Sequence, residues 1–461
     1  MTTRDTSPRR PYRDDPFLAS PPPPAAPRRP FTRRRFLAGA GAAGAAVAAG
    51  TVLGHYLGGP GPTTAGLTVA DAPLVLITLY GGNDGLNTVI PHADGTYTSI
   101  RPTLGYKPEQ VLDLGEGLGL NPQLKGLHSL WQAGRLAVVR GVGYPNPNLS
   151  HFASMAIWQT ANVTDGTGSG WLGRWLDRTA SDGVFDPMLA LSLGATLPPA
   201  LRGEQRSATA ITTSHLAIPG GAAFQSAFAA LQTAGPDRTG LAGAVAASGA
   251  DLLAARTDLD RLHQVAAAPS AGGSPAAVNG PTTTTGRPGA TAPGPVPPPG
   301  RAGRAAGSLA AQMEMVAGLI RAGAPTRLYQ VSLSSFDTHA DEKANHERLL
   351  ADLDTAVTAL LQDLAGHPVV IMTYSEFGRR PAENASGGTD HGTAAPLFVI
   401  GDRVKGGRFY GDEPSLTSLD GNGNLLHTVD FRSVYATVLD RVLGSDPEPV
   451  LGGRFPTLPF L

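Results

Sequence analysis

Leu328-Tyr329-Gln330-Val331-Ser332-Leu333-Ser334-Ser335-Phe336-Asp337-Thr338-His339 is a strand-like run that stops at a carboxylate and an imidazole. The same pattern recurs along the chain. Val369–Met372 runs into Thr373-Tyr374-Ser375-Glu376, and Leu74–Tyr80 runs into Gly81-Gly82-Asn83-Asp84. Gly387-Gly388-Thr389-Asp390-His391-Gly392 stands just before a further strand-like run, Pro396–Ile400. In an open parallel sheet, ligands bind outside the carboxyl ends of the strands, so residues distant in sequence converge on one crevice. Carboxylates and imidazoles gathered there suit hard or borderline divalent metals.

Outward from these runs, strand and helix patterns alternate. Leu136–Val142 is a further strand candidate, and Met188–Leu193 another. Leucine spacing predicts a helix over Leu120–Leu130, and Ser150 is a natural N-cap for one reaching Ala161. Trp171–Thr179, Ser308–Ala322, His346–Leu364 and Phe431–Leu443 carry helical spacing as well. Such alternation predicts an α/β fold around a mostly parallel sheet. Ala222–Ala267 reads as helical, whereas residues 268–306 are Pro, Gly, Thr and Ala, a composition unable to offset its ordering entropy. The expected organisation is one α/β domain over residues 73–461. A helical subdomain of about 222–322 would contain the disordered insert 268–306.

Composition narrows the function. The 461 residues hold 36 Lys and Arg against 37 Asp and Glu, and no Cys. Residues 1–35 carry nine Arg and three Asp, which leaves 27 basic and 34 acidic groups beyond them. A mildly acidic body argues against a nucleic-acid partner. Without thiolates, any metal is held by oxygen and nitrogen. Thr32-Arg33-Arg34-Arg35-Phe36-Leu37 followed by the Ala/Gly-rich stretch Ala38–Tyr56 reads as a twin-arginine export signal, within a leader expected to span residues 1–72. An uncleaved anchor is the alternative.

Asp84, Asp337, His339, Asp390 and His391 are the candidate metal ligands. Asp337 and His339 fall on one side of an extended segment, since alternate residues point the same way. Glycines flanking Asp390-His391 let the backbone approach an ion closely. Ser150, at a helix start with free amides, is the candidate nucleophile, with Thr88 a weaker one and His151 a substrate-positioning neighbour. Plain capping explains Ser150 equally well. Glu376 is a candidate catalytic group, as ligand, general base, or partner of Arg379 or Arg380. The two arginines could also meet an anionic substrate.

The ordered set Gly81-Gly82-Asn83-Asp84-Gly85-Leu86-Asn87-Thr88, Ser150-His151-Phe152, Phe336-Asp337-Thr338-His339, Ser375-Glu376-Phe377-Gly378-Arg379 and Gly388-Thr389-Asp390-His391-Gly392 resembles a bacterial exported family of unknown function. That family is similar to the alkaline phosphatase and sulfatase superfamily. The resemblance implies an alkaline phosphatase-like three-layer sandwich with metal at its strand ends. Asp84 would match the first-strand ligand, Ser150 the hydroxyl nucleophile, and Asp337 with His339 a later ligand pair, more tightly spaced than in alkaline phosphatases. Asp390-His391 would match the recurrent Asp-His pair, with His427 the only candidate for a late histidine.

The expected protein is an exported hydrolase or transferase using one or two divalent ions (Zn, Mn, Mg or Ca) on a small phosphate or sulfate ester. The competing expectation is a non-catalytic exported protein that keeps the fold and engages an envelope ligand or a co-exported partner. The twin-arginine translocase would be a partner during export in either case.

Overall fold

The computed structural model describes residues 72–180, 185–212, 218, 220–233, 240–267 and 307–461. The export segment and the 268–306 insert lie outside these residues. The described strands are β1 (Leu74–Leu79), β2 (Val89–Ile90), β3 (Leu112–Gly115), β4 (Leu118–Leu120), β5 (Leu136–Gly143), β6 (Ala190–Leu193), β7 (Thr209–Ile211), β8 (Leu328–Leu333), β9 (Val370–Tyr374), β10 (Ala395–Ile400), β11 (Arg408–Tyr410) and β12 (Val429–Asp430).

β1 is apolar except for Thr78 because it is buried on both faces, as central parallel strands are. Its side chains alternate. Val75, Ile77 and Leu79 enter one hydrophobic core, while Leu74 and Leu76 enter the other. β8 and β9 flank it in parallel, with Leu74 opposite both Leu328 and Val370. The large sheet runs β11-β5-β10-β9-β1-β8-β6-β7, and β12 pairs with β5 beside it. The fold is thus α/β with a mostly parallel mixed sheet. β10 is the exception, antiparallel to both β5 and β9.

Helices cover both faces. On one side lie Lys125–Gln132, Leu309–Arg321, Glu342–Asp363 and part of Gly240–Ala267, through residues such as Leu127, Val316, Leu353 and Leu259. On the other lie His151–Thr160, Trp171–Ala180, Phe431–Arg441 and Pro447–Leu451, through Trp158, Trp175, Val434 and Val450. Trp171 stacks on Tyr435 at 4.1 Å between ring centroids. Glu342–Asp363 begins four residues before its leucine periodicity, and its Asp354 accepts the backbone N–H groups of Gly126 and Leu127. That carboxylate fastens the start of the Lys125–Gln132 helix, as a side-chain cap does.

The direction of β10 decides where chemistry gathers. A loop entering an antiparallel strand sits at the same sheet edge as loops leaving its parallel neighbours. The segment before β10 therefore meets those after β1, β5, β8 and β9. A small sheet, β2-β4-β3, lies outside the main one. Its short strands carried no strand signal in the sequence.

Ile77 is fully buried in the core on one face of the sheet. Ile77→Ala is expected to cost about 2–5 kcal/mol, read from urea denaturation.

Candidate metal centre

Close backbone contacts set the loops at this edge. Gly81 adopts φ +118, and a Cβ there would lie 2.5 Å from the Asp337 nitrogen. A Cβ on Gly388 would lie 2.3 Å from the His339 carbonyl carbon. Any other residue would push these strand ends apart. Arg379, buried at 1% exposure, ties them together. Its guanidinium donates to the carbonyls of Gly82 (2.7 Å), Thr389 (2.9 Å), Phe336 (3.0 Å) and Gly81, and to Asp337 Oδ1 at 2.8 Å. With its donors so used, Arg379 is a framework cation with little left for a substrate.

Three side chains converge in front of it. Ligand atoms of His151, Asp337 and His391 all lie within 4.8 Å of one another. His151 Nδ1 faces Glu376 Oε1 at 2.8 Å, and His391 Nδ1 faces the Leu149 carbonyl at 2.7 Å. Both partners accept, so each Nδ1 carries the proton and each Nε2 presents a lone pair. Both Nε2 atoms stand 3.3 Å from Asp337 Oδ1. Ligands bound to a common ion at roughly 2.0–2.1 Å in tetrahedral array stand about 3.3 Å apart.

The orphan at this point supports that geometry. His151 Nε2 is shielded from solvent and makes no hydrogen bond. Its approach to Asp337 is close without being directed. Phe377 packs its ring against both His151 and His391, at 4.9 and 4.8 Å. Burial opposes ionisation of Asp337, but the hydrogen bond and charge of Arg379 outweigh it and hold the carboxyl at about 2. Burial, aided by the charge of Arg379, keeps the His391 imidazole below its ordinary value. Asp337 is thus anionic and His391 neutral near pH 7, the states a metal requires.

His339 stands on the solvent side, its Nε2 2.9 Å from His391 Nε2 and 3.1 Å from Asp337 Oδ1. Its Nδ1 lies 3.5 Å from Asp390 Oδ1, which also accepts from Asn384. Asp390 itself is half exposed at the rim. Of the expected ligands, Asp337, His339 and His391 are therefore together, with Asp390 one step behind. Glu376 is buried, and its Oε1 also accepts the Gly81 N–H at 2.9 Å. It orients His151 and sits behind the centre. Ser150 is exposed as the N-cap residue of the His151–Thr160 helix, yet its hydroxyl makes no capping bond.

Asp84 is not brought to this group. It is fully buried and held by Arg101, with Nη2 to Oδ1 at 3.0 Å and Nη1 to Oδ2 at 2.5 Å. Burial opposes its charge, but Arg101 prevails and its pKa is lowered. Glu342 lies beside it, pushed well up by burial and then by Asp84. The carboxyl of Glu342 consequently holds a proton and accepts from Thr389 Oγ1 at 2.6 Å. His346 Nε2 meets Asn83 Oδ1 at 2.9 Å. Thr88 is buried against Asn83 and Asp84, out of reach of a substrate. His427 abuts Gly143, and no described contact joins it to the triad.

A family model described as a protein of unknown function, DUF1501, matches residues 136–454. The chain belongs to the DUF1501 family. No curated protein matches it. The DUF1501 match spans every member of the His151, Asp337 and His391 group together with Glu376 and Arg379, whereas Asp84 and Arg101 precede it. His151 was the member that sequence reading undervalued. Its signal was its place, first in a helix that follows a strand end and a proline-rich turn.

Two outcomes follow. One ammonium cannot serve five acceptors, so Arg379→Lys should lower unfolding free energy by about 3 kcal/mol or more, measured in urea. His346 is held down to about 4 by burial, which prevails over the opposing charge of Asp84. The unfolded chain takes up this proton below pH 6.5 while the native state refuses it, so stability should fall as pH drops from there toward 4. His346→Asn should flatten that slope in denaturation curves recorded across the range.

Proposed function

We propose that this DUF1501 protein is an exported, metal-dependent hydrolase of phosphate or sulfate esters, built on an alkaline phosphatase-like sandwich. The observation that carries the reading is the pair of imidazoles, His151 and His391, whose Nδ1 protons are fixed by Glu376 and Leu149 while their Nε2 atoms converge on Asp337. Two nitrogens and one carboxylate form the three-ligand set of catalytic zinc sites that keep an open position. A nitrogen-rich set favours zinc over magnesium or calcium. An ion held there would supply Lewis acidity toward the ester oxygen.

The chain's own residues take distinct parts. Asp337 contributes the negative charge, fixed by Arg379. Glu376 sets the tautomer and orientation of His151, as outer partners of metal-bound histidines do. Ser150 offers an exposed hydroxyl free of capping, beside the ligand His151, as nucleophile toward a small anionic ester. His339, with Asp390 on its Nδ1, faces the open side and is placed to pass a proton to or from the reacting oxygens. The Arg33-Arg34 signal is the basis for twin-arginine export, and the acidic body disfavours nucleic acid as substrate. The burial of Asp84 against Arg101 favours a second reading, in which the centre binds an envelope ligand or co-exported partner without turnover.

The test is elemental analysis of the untagged mature protein with a screen of nitrophenyl phosphate and sulfate esters. About one equivalent of metal is expected, lost in His391→Ala and Asp337→Asn. Glu376→Gln should weaken metal affinity about 10–100-fold. Ser150→Ala and His339→Ala should keep the metal and lose turnover. Metal loss in His339→Ala would return that residue to the ligand set. Metal binding with no turnover of any ester would favour the binding reading, and a metal-free protein would end the hydrolase proposal.

A further inference from the structure

The resemblance to two-metal hydrolases places a ligand at the end of the first strand, where Asp84 stands. The residues around it do not accept an ion. Both Asp84 oxygens are taken by the Arg101 guanidinium, and both side chains have no exposed surface. The remaining Arg101 donors reach the carbonyls of Pro381 at 2.7 Å and Arg380 at 2.9 Å. Four of the five guanidinium N–H groups are thereby engaged. A bidentate buried pair of this kind separates only at the cost of leaving a charge unpaired.

What surrounds the pair is otherwise ligand-like. Glu342, fully buried, accepts from Thr389 with one oxygen, and its protonated carboxyl donates to Asp84. His346 offers a buried Nδ1 that no group meets. Carboxylates, an imidazole and a cation are assembled here, and the cation is a side chain. We infer that Arg101 permanently takes the place of a second metal ion, so that the chain has one exchangeable metal centre and a built-in organic cation at Asp84. The inference deepens the proposed hydrolase reading and rests on it for the first ion. Its own claim concerns Asp84 alone.

The consequence for chemistry is specific. A two-metal clamp stabilises both the attacking and the leaving oxygen. Arg101 is buried and held bidentately by Asp84, so it cannot reach a leaving group. Any proton needed there must come from the protein, and His339 with Asp390 is the pair on the open side.

The experiment is zinc counting by elemental analysis after dialysis, on wild type, Asp84→Asn, Arg101→Ser and the double variant. Wild type and Asp84→Asn should hold equal zinc. Arg101→Ser should gain one equivalent, lost again in the double variant. Zinc that falls by one equivalent in Asp84→Asn overturns the inference, as does an Arg101→Ser protein with no added ion. Should the variants not fold, anomalous scattering from zinc-soaked wild-type crystals decides. An absent peak at about 2.0–2.2 Å from the Asp84 carboxylate supports Arg101 as the resident cation, and a peak there overturns it. Zinc missing from the His151, Asp337 and His391 group would defeat the hydrolase reading while the Asp84 comparison still judges Arg101.

Discussion

One buried guanidinium holds the functional edge together. Arg379 gathers carbonyls from the loop after β1, the loop after β8 and the loop before β10, and it fixes Asp337 in the same grip. Buried carbonyl oxygens need donors, and a planar cation with five N–H groups is the one side chain able to serve several at once. The placement of Asp337 is therefore a by-product of satisfying backbone groups. Positions of His339, His391 and Asp337 relative to one another depend on how those carbonyls are arranged around a single flat cation.

The fold was largely legible because β1 and β9 are buried, mostly apolar runs that stop abruptly, and β8 keeps a strand pattern despite Gln330 and Ser332. β8 begins and ends at the residues its sequence indicated, Leu328 and Leu333. The reversed direction of β10 was not legible, since a short apolar run carries no sign of its orientation. Convergence of Asp390 and His391 with the other strand ends was expected on the premise of a parallel sheet, and it occurs for a different reason: the reversed β10 brings its leading loop to the same edge. The small β2-β4-β3 sheet, held in two- to four-residue strands, left no periodicity to detect.

The site was legible in part, and for a physical reason. Spacing identifies side chains that can reach a strand end, but not which will find a counter-charge there. Asp84 and Asp337 look alike in sequence, each standing a few residues after a strand. Arg101 lies on a loop with no signal of its own and buries Asp84 completely, while Arg379 leaves Asp337 half exposed. His151 shows the converse. Nothing in its sequence neighbourhood revealed that Glu376, 225 positions away, would turn its free nitrogen toward Asp337.

The two inner histidines are held by different kinds of partner. His151 is oriented by the side chain of Glu376, and His391 by the backbone carbonyl of Leu149. A single nucleotide change can delete the first partner, whereas any residue at position 149 still supplies the second. The two halves of the centre thus differ in mutational robustness: drift can retune His151 through position 376, while the tautomer of His391 is inherited with the path of the chain itself.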